Sequence, residues 1–243
     1  MASTSEIGHA KNVANFQDLI SFVTSYGATY NPTKNALKLP QLTALQTTSQ
    51  TKLAEVVAKN TSFNNAVNDR MTAFDGLKAL STRLVNALES TDATTEKIKD
   101  AKVFNRKLQG KRASSTDAPT DPNAPAPATI SASQQSYDQQ IQHFAGLISV
   151  LQTEASYSPN ESELKIATLT AKQADLTAKN NAVSTAYSTV SNTRIARNKT
   201  LYDEGTGLVD TAFEVKKYVK SIYGAASPEF KQVNKIKFNN IKK

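Results

Sequence analysis

The feature of this sequence that most constrains its fold is a pair of similar segments that lie 127 residues apart. Residues 30–46 read YNPTKNALKLPQLTALQ, and residues 157–173 read YSPNESELKIATLTAKQ. Eight of these 17 aligned positions are identical, and they include a Tyr-x-Pro turn as well as apolar positions. Chance similarity between two polar helices explains the apolar positions but not the shared turn. The sequence therefore predicts a tandem duplication, which determines an architecture but not an activity.

The similarity continues on both sides of these segments. Upstream, five apolar positions within residues 13–23 align with apolar positions within residues 141–151. Downstream, identical residues recur at the same separation as far as Arg70 and Arg197. We therefore expect each copy to fold into the same arrangement of helices, related by an approximate twofold axis.

A stretch rich in proline and small residues separates the two copies. Residues 113–133 read ASSTDAPTDPNAPAPATISAS, a composition that is typical of an extended linker. We interpret residues 1–112 as the first repeat unit and residues 134–243 as the second. A single thin bundle buries too little surface to be stable, so we expect the two units to pack together as one bundle.

Apolar residues recur at the helical spacing of 3.6 residues throughout both repeats. The predicted fold class is all-α: an elongated helical bundle built from a duplicated unit of three to four helices. The predicted helices span residues 10–26, 40–72, 74–90 and 96–109 in the first repeat, and 135–154, 161–198, 205–222 and 228–240 in the second.

Local signals support several of these helix ends. Gly27 is a predicted C-terminal cap, because glycine readily adopts positive φ. Ser227, Pro228 and Glu229 together form a strong start signal for the last helix. For Tyr30 and Tyr157, which open the two Tyr-x-Pro turns, we expect a buried ring with the hydroxyl at the solvent.

The net charge of +8 is concentrated at the corresponding end of each repeat. Residues 97–112 carry a net charge of +6 and residues 216–243 a net charge of +7, whereas the remainder is net negative. Such local excesses attract polyanions. The predicted polyanion-binding residues are Lys97, Lys99, Lys102, Arg106, Lys107, Lys111, Arg112, Lys216, Lys217, Lys220, Lys231, Lys235, Lys237, Lys242 and Lys243.

Aromatic residues are interleaved with these basic residues. They can stack on nucleic acid bases, but their helical spacing favours a role as core anchors, with the lysines forming a solvated face. The residues concerned are Phe104, Tyr218, Tyr223, Phe230 and Phe238. In the helix at residues 205–222, we also assign Phe213 to the apolar stripe.

Signals for catalysis or metal binding are weak. There is no cysteine, and Glu6 and His9 form one Glu-x-x-His pair whose counterpart has Gln140 in place of the acid before His143. We expect His143 to lie at a helix surface or boundary. The segment Gly205-Thr206-Gly207 lacks the third glycine of a dinucleotide-binding loop and predicts a turn. We expect no cofactor, no metal, no small-molecule substrate and no enzymatic activity.

The leading hypothesis is a non-enzymatic scaffold that docks through its paired basic ends onto nucleic acid or a ribonucleoprotein. One alternative is a self-assembling component of a filament, shell or injection machine, which would make the chain a homo-oligomer. A second alternative is a membrane-active helical protein. With no signal peptide, no apolar span and no cysteine, the sequence predicts a cytoplasmic location.

Overall fold

A computed structural model of the chain describes residues 8–110 and 135–241, and every regular element in these ranges is helical. The predicted all-α class is confirmed. The predicted linker at residues 113–133 lies outside the described residues. The α-helices are α1 (His9–Ser25), α2 (Leu39–Phe74), α3 (Leu77–Glu89), α4 (Thr95–Gln109), α5 (Tyr137–Gln152), α6 (Ile166–Tyr202), α7 (Leu208–Tyr223) and α8 (Pro228–Lys235).

The chain divides into two compact units that do not follow its linear order. Unit 1 comprises the described residues within Met1–Phe63 and Ala186–Lys243, and unit 2 comprises those within Asn64–Thr185. Helices α2 and α6 therefore contribute residues to both units. The repeats predicted from the sequence, residues 1–112 and 134–243, are a different division: they describe the duplicated segments and not the compact units. These repeat boundaries stay a prediction.

In unit 1, helix α1 packs against α7 and α8. The apolar face of α1 is buried completely at Phe16, Leu19 and Val23, and it belongs to the same core as Val219 of α7 and Val233 of α8. This face has the helical spacing that predicted α1, and Gly27 follows the helix with a φ of +57°, as expected of a C-terminal cap.

In unit 2, helix α5 packs against α3 and α4. Phe144 and Leu147 of α5 are fully buried in one core with Leu84 of α3. Gly146 allows α4 to approach closely, because a Cβ atom at this position would lie 2.2 Å from the Phe104 ring. Here glycine is required by packing rather than by backbone conformation.

The tyrosine hydroxyls of the two Tyr-x-Pro turns are buried. The prediction that these hydroxyls reach the solvent is therefore wrong. The Tyr30 hydroxyl donates to the carbonyl of Leu37 at 2.7 Å, and the Tyr157 hydroxyl donates to the carbonyl of Leu164 at 3.0 Å. Both acceptors close short 3-10 turns, which present carbonyl groups that the following α-helix does not use. Burial raises the pKa of Tyr157 to about 12 and also raises that of Tyr30.

The last helix is shorter than predicted, because the backbone after Lys235 binds elsewhere. Asn12 of α1 donates to the carbonyl of Asn239 at 2.7 Å and accepts from its N–H at 3.0 Å. Asn15 donates to the carbonyl of Lys237 at 2.6 Å. Since these buried amides bind the backbone of the C-terminal segment, residues 236–241 remain extended against α1.

Two further expectations about side chains are wrong. His143 is buried, with 6% of its surface exposed, because α5 contacts both α3 and α4 along this face. Phe213 is 43% exposed rather than part of the apolar stripe. The stripe of α7 consists of Leu208, Val215 and Val219, and Phe213 stands about 200° around the helix from Val215.

Candidate polyanion-binding groove

Helices α7 and α8 of unit 1 border an open groove of about 560 Å³. Helix α7 contributes Phe213, Lys216, Lys217 and Lys220, and α8 contributes Phe230 and Asn234. The spacing of the α7 residues by three and four places them along one side of the helix. The fold thus brings basic and aromatic residues from two helices to one concave surface.

The lysines around this groove are not neutralised by acidic side chains. Lys217 and Lys220 are exposed on α7, and Lys231 and Lys235 are exposed on α8, each one residue beyond a groove-lining residue. Among the described residues, neither these four lysines nor Lys216 and Lys237 form an ion pair. The charge of the four exposed lysines on α7 and α8 is therefore available to an external anion.

Two acidic residues line the same groove, but both are engaged by other groups. Glu214 forms an ion pair with Lys34 at 2.6 Å. Asp210 accepts a hydrogen bond from the backbone N–H of Gly205 at 2.9 Å. Lys34 neutralises Glu214, whereas Asp210 keeps its negative charge because its partner is a neutral N–H. The three lysines in the lining leave the groove net positive.

Aromatic rings form part of the groove surface. The Nζ atom of Lys220 lies 5.7 Å from the centre of the Phe230 ring, and Phe213 exposes 43% of its surface. From the sequence we assigned Phe213 to the core. Its position two residues before Val215, however, places it on the opposite side of the helix from the buried stripe. Phe238 is buried, as expected of a core anchor, whereas Phe104, Tyr218, Tyr223 and Phe230 are partly buried.

Lys216 is the one groove lysine that is largely buried. Its ammonium donates to the carbonyl of Ile236 and lies 5.1 Å from the centre of the Phe238 ring. Burial, with a smaller contribution from Lys237, lowers its pKa to about 8. The side chain thus holds the C-terminal segment against α7 while its charge lies beside the groove.

The charge of Lys216 predicts a specific dependence of stability on pH. Between pH 8 and its ordinary pKa of 10.5, Lys216 loses its proton in the native state but keeps it when unfolded. The unfolded state then binds more protons, so the free energy of unfolding contributed by this group rises with pH, by at most about 1.4 kcal/mol per pH unit.

The variant Lys216→Met isolates this contribution, because all other titrating groups are common to both proteins. We expect the stability of the variant relative to the wild type, measured by urea unfolding, to be greatest at pH 7.5 and to fall toward pH 10. A difference that is constant across this range would show that burial does not oppose the charge of Lys216.

The basic segment in unit 2 differs, because acidic residues already pair with part of it. Lys97 of α4 forms an ion pair with Glu154 at 3.2 Å and donates to the carbonyl of Thr153, and Lys102 pairs with Glu89. Hydrogen bonds from Ser156, together with Lys97, lower the pKa of Glu154 to about 2. Two of the predicted binding lysines therefore have intramolecular partners.

The other basic residues of α4 are less constrained. Lys99 and Arg106 are exposed and, within the described residues, form no ion pair. The Nζ atom of Lys107 lies 5.8 Å from the centre of the Phe104 ring. The remaining predicted binding residues, Lys111, Arg112, Lys242 and Lys243, lie outside the described residues. The two basic segments belong to different compact units.

The other candidate sites of the sequence are ordinary structural elements in the described part of the chain. Gly205, with a φ of +72°, and Gly207 belong to a turn in which the N–H of Gly207 donates to the carbonyl of Asp203 at 2.8 Å. His9 is the first residue of α1, and its Nδ1 lies 2.7 Å from the Tyr202 hydroxyl oxygen. Within residues 8–110 and 135–241, no cluster of three or more metal-ligating side chains is found.

None of the helices in the two described ranges combines the length and hydropathy that are needed to cross a bilayer.

Comparison with known proteins adds no further constraint. The chain matches no protein-family model, no curated protein and no solved structure.

Proposed function

We propose that this chain is a non-enzymatic binding protein whose groove between α7 and α8 holds a polyanion, with single-stranded nucleic acid as the partner. One observation carries the proposal: three lysines line the groove, two more are exposed on α8 next to its lining residues, and none of the five has an acidic partner among the described residues. The free energy gained by releasing counterions from a phosphate backbone favours such a surface.

The aromatic residues of the groove favour single strands over duplexes. The bases of a single strand are available for stacking, which contributes about 1–3 kcal/mol per base and tolerates any sequence. Phe213 exposes 43% of its surface beside the lysines, and Phe230 also lines the groove. A duplex keeps its bases stacked internally, so it would use the lysines but not these rings.

The basic segment of α4 has a secondary role in this proposal. Lys97 and Lys102 already bind Glu154 and Glu89, so an incoming phosphate must compete with carboxylates there. Lys99 and Arg106 are exposed and supply weaker, non-specific attraction. From the sequence we expected the two basic ends to bind equally. We now propose that the main binding surface lies in unit 1.

We further propose that the architecture arose by duplication. The first helix of each predicted repeat is followed by a 3-10 turn and a long helix, of 36 residues in α2 and 37 in α6. Equivalent tyrosine-to-leucine hydrogen bonds accompany these turns. Each first helix also packs on the third and fourth helices of the other repeat, α1 on α7 and α8, and α5 on α3 and α4. These correspondences support an ancestral unit whose copies exchanged their first helices.

The binding proposal is tested by titrating a single-stranded RNA of mixed sequence into the whole protein at several salt concentrations. We expect binding whose logarithmic affinity falls linearly with the logarithm of salt concentration, and weaker binding to a duplex of the same length. Failure to bind either nucleic acid at low salt would reject the proposal.

A further inference from the structure

Unit 1 contains a second cavity, of about 370 Å³, which shares no lining residue with the groove between α7 and α8. Most of its wall is one face of α6, on which Ser191, Arg194 and Asn198 follow one another at intervals of three and four. His9 of α1 completes part of the wall. Its volume falls within the range of cavities that bind small molecules.

Two arginines give this cavity its charge. Arg194 donates through Nη2 to the side-chain oxygen of Asn60 at 3.0 Å. Arg197 donates to the side-chain oxygen of Asn198 through Nε at 3.1 Å and through Nη2 at 2.8 Å. These amide partners orient the guanidinium groups but carry no charge, so both cations remain uncompensated.

No described acidic residue lines the cavity, and neither arginine forms an ion pair within residues 8–110 and 135–241. Burial lowers the pKa of Arg197; Tyr202 opposes this shift, and the neighbouring Arg194 makes a smaller contribution that lowers the pKa further. Arg197 is partly buried, whereas Arg194 is exposed, and two neighbouring cations that lack an acidic partner repel each other unless an anion joins them. The cavity is therefore complementary to an oxyanion.

The rim of the cavity adds an apolar surface. Tyr187 and Ile195 are each 63% exposed, although both are large apolar residues. The Tyr187 ring lies 6.0 Å from the ring of Phe63, in a tilted arrangement that supports it from one side. A planar organic group can stack on the ring while an attached anion reaches the arginines.

We propose that this cavity binds a small phosphate monoester, with the phosphate held by Arg194 and Arg197 and an attached ring held against Tyr187. Planar guanidinium groups match phosphate oxygens by paired hydrogen bonds, which an ammonium group does not do. The Ser191 hydroxyl lines the same wall and supplies a further donor. This site is independent of the proposed binding of a polyanion to the groove.

The test uses the full-length protein and three probes, measured by isothermal titration calorimetry or NMR. Adenosine monophosphate carries both the ring and the phosphate, inorganic phosphate carries only the anion, and adenosine carries only the ring. We expect adenosine monophosphate to bind most tightly, inorganic phosphate more weakly, and adenosine not measurably.

Substitutions then assign the contacts. We expect Arg194→Gln and Arg197→Gln each to weaken adenosine monophosphate binding roughly tenfold or more, as for lost hydrogen bonds to a charged group. The control Lys199→Gln removes one exposed charge from the same helix and should leave affinity within about twofold. Tyr187→Ala should weaken binding of the nucleotide but not of inorganic phosphate.

Circular dichroism establishes that each variant is folded before its affinity is interpreted. The proposal is overturned if neither phosphate-containing probe binds at about 10 mM. It is also overturned if the Arg194→Gln variant, changed at the more exposed of the two arginines, binds adenosine monophosphate as tightly as the wild type does. The same holds if Lys199→Gln weakens this binding as much as the arginine variants do.

Discussion

We expect fragments 1–112 and 134–243 of this chain to associate into a folded complex when they are mixed, whereas neither fragment alone should reach native helicity. This result is expected because each fragment holds half of both cores. Helix α1 lies in the first fragment but packs on α7 and α8 of the second. Helix α5 lies in the second fragment but packs on α3 and α4 of the first.

The expected effect is large because the exchanged helices bury large side chains. Phe16 and Leu19 of α1, and Phe144, Leu147 and Leu151 of α5, are each no more than 1% exposed. Burial of each such side chain contributes about 1.5–3 kcal/mol. Loss of the buried side chains of either helix therefore removes stabilising free energy comparable with the whole free energy of unfolding of a typical domain, about 5–15 kcal/mol.

Circular dichroism and size-exclusion chromatography of the separate and mixed fragments measure this effect. Phe16→Asp in the first fragment should weaken association and prevent the core of unit 1 from forming, while Gln17→Asp, an exposed neighbour on α1, should do neither. Cooperative unfolding of fragment 1–112 alone, at the temperature of the intact chain, would contradict this account of the two cores.

Reversing four charges at the groove should nearly abolish binding to single-stranded RNA. The variant changes Lys217, Lys220, Lys231 and Lys235 to Glu; all four side chains are exposed, so the fold should be retained. Each lost phosphate contact removes about 0.7 from the slope of logarithmic affinity against logarithmic salt concentration for a single strand. We therefore expect the slope to decrease by about 3 and the affinity at low salt to fall by at least about a hundredfold.

A matched variant controls for the change in net charge. Lys38, Lys59, Lys78 and Lys165 are also exposed and, in the part of the chain that the structure describes, form no ion pair. Their replacement by Glu alters the net charge equally but should reduce affinity far less. Equal losses in the two variants would show that binding follows total charge rather than the groove.

The helices were predictable from the sequence because their signals are local. The apolar spacing of α1 and the Ser227-Pro228 start of α8 act within a few residues, and the Ser227 hydroxyl accepts from the N–H of Phe230 at 3.1 Å. The end of α8 was not predictable. It depends on Asn12 and Asn15, which are more than 200 residues away in sequence and bind the backbone of the C-terminal segment.

The candidate site was predictable only as a concentration of charge. The sequence identified the lysines of α7 and α8, but it gave no reason to separate them from those of α4. That difference arises from pairing across the fold, as between Lys97 and Glu154, which are 57 residues apart. The position of Phe213 likewise depends on which side of α7 faces the core.

The most direct test of the binding claim is a map of amide chemical shifts in the isotope-labelled protein during titration with a single-stranded oligonucleotide. The account predicts that the largest saturating shifts fall within residues 210–237, on α7, α8 and the turn between them. Saturating shifts that are confined to unit 2, or spectra that do not change at low salt, would contradict it.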